Sequence, residues 1–97
     1  MNINVPEKYR QDIENATKLL KNEGCEAVFL FGSLVTGKIH QNSDIDIGIK
    51  GLAPKKYFRI CAYLDKELEN KVDLVDFDLH NDFYNLLYSL GEVIKLG

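Results

Sequence analysis

The chain has 97 residues, of which 45% are apolar and 28% charged, and its formal net charge is −3. This suits one small globular domain with a single hydrophobic core, and it excludes disordered, fibrous and multi-domain chains. The acid excess argues against a general nucleic-acid binder, and the absence of both a membrane-length apolar run and a basic-then-apolar leader makes the cytoplasm the default location.

Pro6 opens a helical pattern in which Tyr9, Ile13, Ala16 and Leu20 share one face and Gly24 supplies the C-terminal cap. Residues 26–32 read as a strand, Leu34 to Gly37 as one helical turn, and Lys38 to Ser43 as a polar loop. His40 lies in that loop with no partner at metal-ligand spacing, so it is expected in solvent. Asp44 to Ile49 forms the second strand, and Gly51 and Pro54 lead into a helix with Tyr57, Ile60, Cys61, Leu64 and Leu68 at core spacing. A third strand is expected over Val72 to Leu79. A third helix follows, capped by Asn81 or Asp82, with Phe83 and Leu87 in the core and Tyr84 and Tyr88 unassigned. Glu92 to Leu96 is a short strand or an extended tail. Cys25 and Cys61 lack metal-motif spacing and read as reduced, structural thiols. Lys55, Lys56 and Arg59 read as a solvated face.

The chemistry concentrates in Val28 to Lys50, where an apolar run ends in Gly32-Ser33 and a polar loop leads to Asp44-Ile45-Asp46. Strand alternation sends Asp44 and Asp46 to one face and Ile45, Ile47 and Ile49 to the other. Two carboxylates held side by side repel unless a cation or a proton intervenes, which suits divalent metal binding. A glycine ending a strand allows close approach of backbone amides, and a serine opening a helical turn offers an N–H and a hydroxyl to phosphate oxygens.

This constellation resembles the nucleotidyltransferase superfamily that includes DNA polymerase β, most closely its minimal nucleotidyltransferase branch. The signature of that family is Gly-Ser, about ten residues, then Asp-x-Asp, and here Gly32-Ser33, Leu34 to Ser43 and Asp44-Ile45-Asp46 supply it. Gly37 and Ser43 match as well. A third carboxylate between hydrophobic residues is also required. Asp73, between Val72 and Leu74, fits better than Asp76, which strand parity puts on the opposite face along with Asp78.

The resemblance implies an α/β fold, namely a single nucleotidyltransferase domain over residues 1–97, with a mixed β-sheet, helices packed on one face and the aspartates on the other. It implies in-line attack by a hydroxyl on the α-phosphorus of a nucleoside triphosphate, with ATP the expected donor and pyrophosphate leaving. Asp44, Asp46 and Asp73 are then the catalytic metal ligands for two Mg²⁺ ions, or Mn²⁺, and Gly32, Ser33, Lys38 and Ser43 contact the nucleotide. Minimal nucleotidyltransferases resemble one half of a toxin–antitoxin system whose partner is a helical HEPN protein, neutralised by binding or by transfer of AMP. The acceptor surface is expected from that partner, with Tyr84, Leu87, Tyr88, Val93 and Ile94 as the docking stretch. Many relatives carry basic residues where this chain has Leu34, Val35 and Thr36, which keeps open a second reading, an inactive antitoxin that acts by association alone. A homo-oligomer also stays open, whereas membrane association and direct nucleic-acid binding are not expected.

Overall fold

The computed structural model describes residues 5–39 and 43–97, so His40 and the tip of its loop lie outside the described residues. Pro6 precedes α1 (Glu7–Asn22), on which Tyr9, Ile13, Ala16 and Leu20 are all buried, and the chain leaves through Gly24. Next come β1 (Ala27–Phe31), the single turn α2 (Ser33–Thr36) and β2 (Ile45–Lys50). A 3-10 turn at Pro54–Lys56 runs into α3 (Tyr57–Glu67), followed by β3 (Val72–Asp76), α4 (Asn81–Ser89) and β4 (Val93–Lys95).

The sheet has the order β3-β2-β1-β4, with β1 antiparallel to both β2 and β4, and β2 parallel to β3. A parallel pair needs a crossover connection, which α3 provides. Val28, Leu30, Ile45, Ile47, Ile49 and Leu74 project toward α1 and α3 and build the main core with Tyr9, Ile13, Leu20, Ile60 and Leu64. Lys56 and Arg59 at the start of α3 both pair with Glu23 at the end of α1, the arginine at 3.1 Å, so this basic group ties two helices together.

The α/β class and the mixed sheet agree with the sequence reading, but α4 departs from the expectation that every helix shares one face. The alternation that sends isoleucines toward α1 sends Phe29, Phe31, Val75 and Phe77 the other way. Left open, that aromatic surface would lie in water. α4 covers it, packing Tyr84 and Leu87 against Phe29, Phe31 and Phe77. Phe83, expected in the core, is 39% exposed and meets Phe31 and Phe77 edge-on, with ring centroids 5.5 and 6.2 Å apart. Tyr84, left unassigned, does the packing, and Lys50 Nζ sits 3.6 Å above its ring.

β3 is shorter than expected because the backbone turns at Asp76, whose carboxylate accepts the Asp78 N–H at 2.9 Å. Asp78 in turn accepts the Gly51 N–H at 2.7 Å. Both acids therefore serve the turn. Cys25 and Cys61 are free thiols, and burial pushes Cys25 up to about 11, as expected of an inert core residue.

Gly48 decides how α4 docks. A Cβ there would stand 2.0 Å from the Phe77 ring, so the ring lies directly on the strand backbone. Gly48→Ala should cost about 2–3 kcal/mol through forced repacking of Phe77, whereas Gly91→Ala, with open space around it and only a φ of 69° to strain, should cost about 1 kcal/mol. Urea midpoints of the two variants check this ranking, and equal losses would contradict it.

Candidate functional site

The end of the sheet that α4 leaves open carries the acids. Phe31 is the register partner of Asp46, and Asp46 is the register partner of Asp73, so the three residues form a row across β1, β2 and β3. Neighbouring strands lie about 4.8 Å apart, so Asp46 and Asp73 project side by side from adjacent backbones. Asp76 lies on the far face, buried, beside Leu74.

Gly32 joins this row from above. Its φ is +77°, and a Cβ built there would come within 2.0 Å of Asp46 Oδ2, so the Asp46 carboxylate occupies the space a side chain would need. Only glycine satisfies both conditions. Its carbonyl accepts the Val35 and Thr36 N–H groups, each at 3.0 Å, which starts α2. The amides of Ser33 and Leu34 precede the first intrahelical bond. Gly37 closes the turn in the left-handed conformation. Lys38 follows, exposed in the loop, and the chain returns through buried Ser43 and part-exposed Asp44 to β2.

Electrostatics follow from this crowding. Burial, then the charge of Asp73, then that of Asp44 push the Asp46 carboxyl up to about 6. Asp73 is half exposed and has Lys71 Nζ 4.0 Å from its Oδ1. Among the described residues, no group of three or more His, Cys, Asp and Glu side chains is gathered tightly enough to hold an ion. The polar side chains of Asp46 and Asp73 in this row are both carboxylates. The structure thus brings together Gly32, Ser33, Asp46 and Asp73, with Asp44 within reach electrostatically, while Lys38 stands off in solvent.

Sequence reasoning missed Gly48 and Lys50, which fit α4 to the sheet, and it missed Asp12. That residue is buried on the apolar face of α1, and the signal was an acid three positions after Tyr9 in an otherwise hydrophobic stripe.

The family profile described as "Polymerase beta, Nucleotidyltransferase" matches residues 14–95. The chain belongs to this nucleotidyltransferase family. A structure described as a toxin–antitoxin with AMP-PNP is 35% identical, with a TM-score of 0.56, and the match covers 67% of this chain and 57% of that one. A mutant of the toxin–antitoxin pair MntA–HpeT, with two aspartates spaced by one residue changed to glutamate, is 30% identical, with a TM-score of 0.55, covering 67% and 56%. A putative minimal nucleotidyltransferase at 24% identity shares the fold, with a TM-score of 0.60, covering 78% and 81%. The match spans less than two thirds of the length of the two toxin–antitoxin chains. A comparison with curated proteins returned no match. Among the described residues, no helix of this nucleotidyltransferase is long and apolar enough to cross a membrane.

The raised Asp46 carboxyl carries a pH signature. Because the folded state holds this proton more tightly than the unfolded chain, the stabilising effect is complete below pH ~4 and is lost as pH rises through about 6. For the metal-free protein, Asp46→Asn should therefore raise stability at pH 7.5 by about 1–2 kcal/mol, a figure reduced for solvent screening at a part-open site. The gain should vanish at pH 4. Thermal melts of both proteins across that range test it, and a gain independent of pH would exclude electrostatic crowding as the cause.

Proposed function

We propose that this nucleotidyltransferase is an antitoxin-type enzyme that transfers a nucleoside monophosphate, AMP from ATP, to a hydroxyl on a helical HEPN-type toxin partner. The single observation that supports this reading is the registration of Asp46 beside Asp73, directly under Gly32, with Asp46 crowded by the charges of Asp73 and Asp44. Like charges packed this closely are costly unless a ligand offsets them.

Asp44, Asp46 and Asp73 would hold two divalent ions, Mg²⁺ or Mn²⁺, which when bound neutralise charge developing on the transferred phosphoryl group and the leaving oxygens. Gly32 and Ser33 anchor the triphosphate through the amides that open α2 and through the serine hydroxyl. Ser43, just before β2, adds a nucleotide contact, and Lys38 adds a positive charge from the loop. Asp73, on the edge strand, faces the side from which the acceptor hydroxyl arrives. The toxin–antitoxin neighbours, one with AMP-PNP, support the choice of donor and of partner class.

The second reading is an antitoxin that neutralises its partner by association alone. It is favoured by Leu34, Val35 and Thr36, a run without a basic residue where the triphosphate would lie. Mass spectrometry of the partner after incubation with MgATP separates the readings, since only transfer adds the mass of AMP.

Two outcomes test the residue roles. Asp44→Asn combined with Asp46→Asn should abolish Mg²⁺-dependent nucleotide binding in calorimetry with the fold retained, and unchanged affinity would remove the site assignment. Asp73→Asn should spare nucleotide binding but slow transfer by orders of magnitude in single-turnover assays. Asp76→Asn should act instead on stability, through the turn its carboxylate caps.

The reading extends to a partner surface. Leu79, Phe83, Leu86 and Leu90 recur at four-, three- and four-residue steps, and are 74%, 39%, 54% and 60% exposed. This stripe borders the acid-bearing face through Phe83 and Phe31. Ile94, part-buried and paired with Leu30, serves the sheet instead. Leu86→Lys should weaken toxin association at least about tenfold without unfolding the domain, measured by titration calorimetry and circular dichroism. Unaltered association would place the partner elsewhere.

A further inference from the structure

Asp12 is a buried acid on α1, away from the acid-bearing face of the sheet. It is 6% exposed on the core-facing side of α1. Burying a carboxylate is costly unless its oxygens are satisfied. Here Oδ2 accepts the backbone N–H of Asn70 at 2.7 Å and the side-chain amide of Asn70 at 2.9 Å. That amide also donates to the Lys8 carbonyl at 3.0 Å, so Asn70 is gripped by α1 at both its backbone and its side chain. The residue after it carries the carbonyl that accepts the Ile45 N–H at 2.9 Å, joining β2 to β3 where both acid-bearing strands begin.

We propose that Asp12 is a positioning residue for Asp73: by holding Asn70 against α1 it fixes the point at which β3 joins β2, and so fixes Asp73 relative to Asp46. The inference rests on the reading of Asp46 and Asp73 as the working carboxylates. β3 is an edge strand with one neighbour, and Asp73 lies only three residues past Asn70. Nothing in a two-strand pairing by itself prevents its first rungs from fraying, and a slip of one residue would turn Asp73 to the opposite face. Hydrogen bonds to an ionised acceptor are short and strong, so a carboxylate anchors this point better than an apolar contact would.

The test compares Asp12→Ala, Asp12→Asn and a control, Ala16→Gly, which weakens the same buried face of α1 without touching Asn70. All are studied well below their melting temperatures, by amide hydrogen exchange and by Mn²⁺ titration. Asp12→Ala should speed exchange at Ile45 at least about tenfold relative to the control and weaken Mn²⁺ about tenfold, the loss typical when an outer partner of a metal ligand is removed. Asp12→Asn, which keeps a carbonyl oxygen for Asn70, should restore most of both. Ile45 protection no lower in Asp12→Ala than in Ala16→Gly, or an asparagine variant as impaired as the alanine one, would overturn the proposal. If the unaltered protein binds no Mn²⁺ while Ile45 loosens as expected, the positioning role stands and the metal-site reading falls. Should Asp12→Ala fail to fold, Asn70→Ala, which keeps the backbone bond, carries the same comparison with a smaller expected change.

Discussion

The contact between the Asp46 carboxylate and the Cα of Gly32 is the constraint around which this end of the molecule is built. A Cβ at Gly32 would overlap Oδ2 at 2.0 Å, so the residue that follows β1 and the start of β2 can approach only because glycine has no side chain. That approach brings the opening amides of α2 over the strand that carries the acids. It also strips water from Asp46, which together with Asp73 and Asp44 explains the raised carboxyl. Fold and site are therefore not separable here, since the same close packing that ends β1 creates the local charge imbalance.

The open sheet face divides into two halves with different physics. Along the strands, from the row of Phe29 and Val75 onward, it is aromatic, with Phe29, Phe31, Phe77 and Tyr84 in tilted contact at 5.1–5.7 Å between ring centroids. At the row of Asp46 and Asp73 it is acidic. Phe31 and Asp46, partners in register, mark the border. α4 settles on the aromatic half because apolar area gains from burial. It leaves the acidic half uncovered, since hydrated carboxylates gain nothing from being roofed by leucines.

Much of this was legible in the sequence because periodicity reports faces. The Ile45, Ile47, Ile49 run reported which way Asp46 points, and the structure packs Gly32 of the Gly32-Ser33 motif against Asp46 of the Asp44-Ile45-Asp46 motif. Strand parity, with the hydrophobic neighbours of Asp73, separated it from Asp76, and the structure puts the two acids on opposite faces. What the sequence did not disclose depends on contacts between distant segments. The exposure of Phe83 and the burial of Tyr84 follow from how α4 is rotated, which is set by Lys50 and by the space above Gly48. The grip of Asp12 on Asn70 joins residues 58 positions apart, beyond any local pattern. Strand ends were missed for a similar reason, since β3 stops where the Asp76 carboxylate captures its own chain.

The parallel pairing of β2 with β3 also has a kinetic side. β1 and β2 are antiparallel neighbours joined by one loop, whereas β3 reaches β2 only after the whole of α3 has been laid across the sheet. Closing that longer connection is the more costly step in chain entropy, so the strand bearing Asp73 is expected to dock after the β1–β2 pair has formed. The repulsion between Asp46 and Asp73 does not exist before that moment. Charge crowding at this row is then a burden on the final stage of assembly, felt in the lifetime of the closed sheet more than in the speed of its initial collapse.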